Sequence, residues 1–157
     1  MRRHLGFFCL LLLLPAGILA QARDTAGVRA AAADYLDGFY EGDSTKHVRS
    51  IHPSVYKYGF SRSSTGEYRG MQMQWPGFHA FANRVKAGQV KTPPNAPHVI
   101  EVLDIADQTA AVKVTAWWGI DYLLMARTDG RWMTYHVMWQ SPPCFAAANA
   151  PACPPAR

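Results

Sequence analysis

Between Thr109 and Gln140 the chain reads TAAVKVTAWWGIDYLLMARTDGRWMTYHVMWQ, and no other run restricts the fold as much. Two apolar segments flank Asp129-Gly130, a dipeptide that accepts the positive φ angles of a two-residue hairpin turn. Val, Thr, Trp, Tyr and Met predominate, the residues that fill a pleated, covered surface. In the last segment Met133, Tyr135, Val137 and Trp139 alternate on one face, with Trp132 and Met138 on the other. Both sets are apolar, which predicts a sheet covered on both sides.

The residues before this run are helical and turn-rich. Val28, Ala32, Tyr35, Leu36 and Phe39 form one stripe at helical spacing, behind a cap at Asp24 or Thr25 and ahead of a stop at Gly42. Asp43 or Ser44 caps a short second helix through Ile51. Pro53 turns the chain extended at His52, and Ser54 to Phe60 reads as a strand. The polar run 61–70, SRSSTGEYRG, predicts a loop or loose hairpin. Trp75-Pro76 opens a third helix that buries Phe78, Phe81, Ala82 and Val85 and ends at Gly88. KTPPNAP (91–97) is a stiff connector, and from His98 the chain is β to Gln140, with turns near Asp107-Gln108, Gly119 and Asp129-Gly130. This order is α+β, with helices gathered against one face of a bent sheet.

A chain of 157 residues suits one domain. Arg2-Arg3-His4, the apolar run Leu5 to Leu14, and Ala20-Gln21-Ala22 have the layout of a secretory signal, and ten apolar residues are too few to span a bilayer. The expected division is a signal peptide at 1–22, a domain at 23–141 and an Ala/Pro-rich tail at 142–157. Without Arg2 and Arg3, sixteen basic residues become fourteen against eleven acidic ones, a net charge of +3. The bases are scattered, so the chain lacks a nucleic-acid footprint, and no membrane contact is expected after cleavage. Cys144 and Cys153 are the cysteines left, and an oxidising compartment pairs them in a small tail loop, the alternative being two free thiols. The secreted or periplasmic space is the expected location.

The blocks DYLDGFYEGD, KHVRSIHPSVYKYGF, VLDIADQTAAVKV, DYLLMARTDGRW and the closing VMWQ resemble the putative lumazine-binding family. That family lies within the nuclear transport factor 2-like superfamily, which also contains ketosteroid isomerases. The similarity runs from about Thr25 to Gln140. It implies a cone-shaped α+β fold, with three helices on a strongly curved antiparallel sheet, a pocket inside the cone, and pairing of two copies through their sheets. It implies no single reaction. One departure is His136, where the family pattern tends to have Asn; imidazole titrates near neutrality and an amide does not.

Several groups compete for a role. Asp121 with Tyr122 interrupts an apolar strand, and a buried carboxylate needs a partner, for which Lys57 is available. That pair is either structural or orients a ligand. His52 is either a polar wall of the cone or a helix-to-strand corner. The candidate ligand-binding set is Tyr35, His52, Lys57, Asp121, Tyr122, His136 and Trp139, with His52, Lys57, Asp121 and His136 expected to face one cavity. Trp75, Trp117, Trp118, Trp132 and Trp139 either wall that cavity or fill the core. The histidines at 47, 52, 79, 98 and 136 have no metal-ligand spacing, and neither a nucleophile elbow, a phosphate loop nor a dinucleotide fingerprint occurs. No cofactor or metal is therefore expected. The leading reading is an exported domain binding a small hydrophobic or aromatic ligand. The alternatives are an isomerase or dehydratase with a cone-lining Asp or His base, and a protein-interaction module. A homodimer burying one face of residues 111–139 is expected, because three short helices cover only one side of the sheet.

Overall fold

The computed structural model describes residues 16–63 and 65–142. Residues 1–15 and the Cys144–Cys153 pairing lie outside them. Three helices, α1 (Ala16–Glu41), α2 (Ser44–Ser50) and α3 (Trp75–Lys86), accompany six strands. The strands are β1 (Ile51–Arg62), β2 (Tyr68–Met73), β3 (Val99–Ile105), β4 (Thr109–Ala116), β5 (Gly119–Thr128) and β6 (Arg131–Gln140). They form one open sheet in the order β2-β1-β6-β5-β4-β3, and the helices pack on one side of it. This is the α+β cone that the resemblance implies. Neighbouring strands are antiparallel except β1 and β6, which run parallel. The return through α3 and the proline-rich connector brings the last strand beside the first in the same direction.

Local chemistry explains most boundaries. Asp43 caps α2, its side chain accepting from the Thr45 backbone N–H at 2.9 Å. Pro76 lies in the first turn of α3, and the backbone N–H of Gly88 (φ 73°) closes that helix on the Val85 carbonyl. Asp129 and Gly130 take φ values of 50° and 74°, the two positive angles of a primed hairpin turn. α1 is continuous from Ala16, so the expected cap at Asp24 or Thr25 is not a helix start. Asp24 instead meets Arg127, whose guanidinium lies 5.0 Å from the Trp132 ring centroid. β1 begins at Ile51 rather than Ser54, and a register shift between Ile51 and Tyr56 accommodates Pro53. The 61–70 run is a hairpin, with Arg62 opposite Tyr68.

The core is the seam between helices and sheet. Val28, Ala32, Tyr35, Leu36 and Phe39 of α1 meet Phe78 of α3 and Val112, Val114, Leu123, Met125 and Val137 of the sheet. Each of the Val, Leu, Phe and Met side chains among them contributes roughly 1.5–3 kcal/mol by leaving water. Phe39 is the hub, with ring centroids of Tyr35, Phe78, Phe81 and Trp118 at 5.4, 5.6, 5.3 and 5.1 Å.

One expectation about β6 is corrected. A bulge at Tyr135, between the Leu124–His136 and Met125–Thr134 pairs, shifts the alternation by one residue. Trp132 and Thr134 thereby join Val137 and Trp139 on the helix side, and Trp132 does not share a face with Met138. Within one chain the helices cover one side of the sheet alone. Its outer face exposes Tyr56, Phe60, Tyr122, Leu124 and Met138, the last two by about half.

Candidate functional site

β6 lies between β1 and β5, and that placement builds the site. Lys57 is in register with Val137, and Asp121 with Trp139. The two charged side chains therefore rise from the helix side of flanking strands and meet across β6. Gly59 makes room for this, since any Cβ there would collide with the Trp139 carbonyl and indole. From above, Tyr35 of α1 completes a triad: its hydroxyl donates to Asp121 Oδ2 at 2.7 Å and accepts from Lys57 Nζ at 2.7 Å. Lys57 also donates to Asp121 Oδ2 at 3.1 Å. The Trp118 indole N–H adds a fourth partner, 3.2 Å from Oδ2 and 3.3 Å from Oδ1.

All three members of the triad are buried. Burial raises the Tyr35 hydroxyl well above its usual value, and the Asp121 charge raises it further, so Tyr35 stays a neutral donor. Burial also lowers the Lys57 ammonium, an effect that the Asp121 charge and hydrogen bond oppose. Aromatic faces compensate part of the lost hydration. Lys57 Nζ is 5.2 Å from the Phe39 ring centroid, 5.8 Å from Trp139 and 5.9 Å from Trp118.

A cavity of about 200 Å³ adjoins the triad at Lys57. Phe39 and Phe81 wall it from the helices, and Trp117, Trp118 and Trp139 from the sheet. Met71 and Met73 of the edge strand β2 and Arg84 of α3 complete its lining. The β4–β5 turn that carries Trp117 and Trp118 is held in two ways. The Trp117 backbone N–H donates to the Tyr40 hydroxyl at 3.3 Å, and Gly119, at φ 134°, abuts the Gln140 carbonyl where a Cβ would not fit. Trp117 Nε1 is shielded from solvent and has no hydrogen-bond partner.

Of the residues singled out in the sequence, the fold brings together Tyr35, Lys57, Asp121 and Trp139. It does not bring His52 or His136 to them, so the expected shared cavity is corrected. His52 stacks on Tyr135 at 4.4 Å and bonds Ser54 at 2.7 Å, a corner arrangement. His136 is exposed on the outer face, in register with Tyr56 and Leu124, and Tyr122 is exposed on that face as well. Plain alternation sends these residues away, since His52 follows buried Ile51, His136 precedes inward-facing Val137 and Tyr122 follows inward-facing Asp121. Trp118 as an Asp121 partner went unseen, and its place in a turn next to Gly119 was the only signal for it. Among the described residues no group of three potential ligands could hold a metal ion, and no helix is long and apolar enough to cross a membrane.

A family model described as Putative lumazine-binding matches residues 23–140. Among solved structures, a nuclear transport factor 2-like protein of unknown function from Silicibacter pomeroyi DSS-3 is similar at a TM-score of 0.59 and 15% identity, covering 78% of this chain and 98% of that one. A second of unknown function, from Shewanella baltica OS155, reaches 0.58 at 16% identity, over 78% and 97%. A third, from Methylobacillus flagellatus KT, reaches 0.59 at 16%, over 76% and 93%. At such identities the likeness carries the fold alone. No curated protein matches the chain.

Proposed function

The chain belongs to the Putative lumazine-binding family, and on that premise we propose that it is a small-molecule-binding domain whose ligand sits in the aromatic cavity beside Lys57. One observation carries the reading: a buried Tyr35–Lys57–Asp121 cluster stands at the wall of a cavity otherwise lined by aromatic and methionine side chains. Binding sites commonly combine apolar walls with a few fixed polar groups. Binding is favoured over turnover by the state of Asp121. Its carboxylate is fully buried and accepts from Tyr35, Lys57 and Trp118, which leaves it poorly placed to take a proton from a substrate. Native mass spectrometry of the protein purified from its own host tests the proposal. An adduct lost in a Phe39→Ala/Trp118→Ala variant that stays folded supports it, and an adduct-free protein that takes up no aromatic compound refutes it.

The proposal includes export with cleavage near Ala22, a Cys144–Cys153 disulfide, and a homodimer joined through the outer sheet face. What supports the last is the row of exposed Tyr56, Phe60, Tyr122, Leu124 and Met138 on one side of a sheet whose other side is already packed.

A further inference from the structure

The cavity walls have a one-sided hydrogen-bonding character. Apart from the soft thioether sulfurs of Met71 and Met73, every polar side-chain atom of the lining residues is a donor: the Lys57 ammonium, the Arg84 guanidinium, and the indole N–H groups of Trp117, Trp118 and Trp139. No carboxylate, amide or hydroxyl lines it. Three of these donors have unspent capacity. An ammonium offers three N–H groups, and Tyr35 and Asp121 take two of those on Lys57. Trp117 Nε1 has no partner although it is shielded from solvent, and a buried donor left unpaired is costly. Arg84 forms no ion pair among the described residues; its guanidinium lies 5.1 Å from the Phe81 ring centroid at the cavity edge. The charge of Lys57 is balanced by Asp121, whereas that of Arg84 is not balanced.

Resting on the binding role above, we infer that the cavity selects a flat aromatic anion of one or two rings, a carboxylate or an enolate, over neutral molecules of the same shape. The ring system lies against Phe39, Trp118 and Trp139. The anionic oxygens meet Arg84 at the cavity edge, and the remaining Lys57 N–H supplies a further donor. Among the lining side chains, a ligand that presents donors of its own would find only the weak thioether acceptors of Met71 and Met73. The exposed Arg84 also sets an ionic-strength dependence, since a charge at the cavity edge is screened by salt in a way the buried Lys57–Asp121 pair is not.

The test compares naphthalene-2-carboxylate with naphthalene-2-carboxamide, two molecules of one shape and different charge, by titration calorimetry on the full chain. The carboxylate is expected to bind about tenfold tighter, the fold-change that a charge-assisted hydrogen bond carries. Raising the salt should narrow the gap, and Arg84→Gln, at an exposed position, should remove most of it. Circular dichroism of that variant should stay unchanged. Equal binding of the two probes overturns the inference and leaves the binding role standing, as does a preference that survives Arg84→Gln. If neither probe binds, the inference falls, and the binding role is decided separately by the native mass spectrum.

Discussion

Replacing Asp121 by Asn tests whether Lys57 is held as a buried cation. The variant keeps the size of the side chain and one acceptor oxygen, so Tyr35 and Trp118 retain a partner. What it removes is the charge that opposes the desolvation of Lys57, an ammonium only 4% exposed. Breaking one half of a buried ion pair costs on the order of 3–5 kcal/mol. An upper bound follows from the alternative open to the amine, which is to give up its proton. Holding a lysine neutral at pH 7 against an ordinary value of 10.5 costs about 5 kcal/mol, at about 1.4 kcal/mol per pH unit. The expected loss at pH 7 is therefore about 3–5 kcal/mol, read from urea unfolding followed by tryptophan fluorescence. The sign of the pH dependence is fixed too. With its folded-state value depressed, the lysine binds more protons unfolded than folded, so the variant should gain about 1.4 kcal/mol per unit as pH rises from 7 toward 10. The deficit against the native chain shrinks over that window for as long as the native lysine keeps its proton. A loss below about 1 kcal/mol that does not change with pH would refute a charged, buried pair.

Other expectations follow from the same packing. His47 is buried against Phe39 and Phe78, and burial, followed by the charge of His79, lowers it from 6.5 to about 4. The unfolded chain therefore takes the proton first on acidification. Stability should fall by about 3 kcal/mol between pH 6.5 and 4 and be flat above that window with respect to this group; a His47→Leu variant should lose that slope in urea titrations at stepped pH. Light scattering at micromolar concentration should give twice the mass of the mature chain, and Leu124→Glu on the outer face should halve it. A single-chain mass for the unaltered protein would count against the dimer. Sequencing of the exported protein should start at Arg23, or at Gln21 if Ala20 is the cleavage point, and a retained Met1 would refute export. Unreduced protein that takes up two iodoacetamide groups would rule out the tail disulfide.

Much of the fold was legible because local chemistry and global position agree. Asp129-Gly130 demanded a primed turn, Asp43 supplied a cap, and the α1 stripe from Val28 to Phe39 is the buried face observed. β2 was harder. Five of its six residues are exposed, so no buried pattern marked it, and the strand exists through pairing with β1. Lys57 and Asp121 were legible as charges in otherwise apolar strands, and the cost of leaving either alone pointed each to the other. His52 and His136 were misplaced for one physical reason. Sides alternate with a period of two, so His52, next to buried Ile51, and His136, next to inward-facing Val137, fall on the side opposite to Lys57 and Trp139. The cavity itself was legible only as a surplus of aromatics. Whether Trp117, Trp118 and Trp139 fill the core or wall a void is decided by the Gly59, Gly119 and Tyr40 contacts, which link residues far apart in sequence.

Whether the aromatic cavity beside Lys57 receives a ligand can be read from the indole and backbone N–H resonances of ¹⁵N-labelled protein as aromatic fragments are titrated in. Trp117, Trp118 and Trp139 line the cavity, whereas Trp132 lies elsewhere in the core, next to Gly27 and Arg127. Saturable shifts are expected at the first three, with Trp132 unmoved. Fragments that leave all three unmoved, or that shift Trp132 or the outer-face residues instead, would contradict binding at this site.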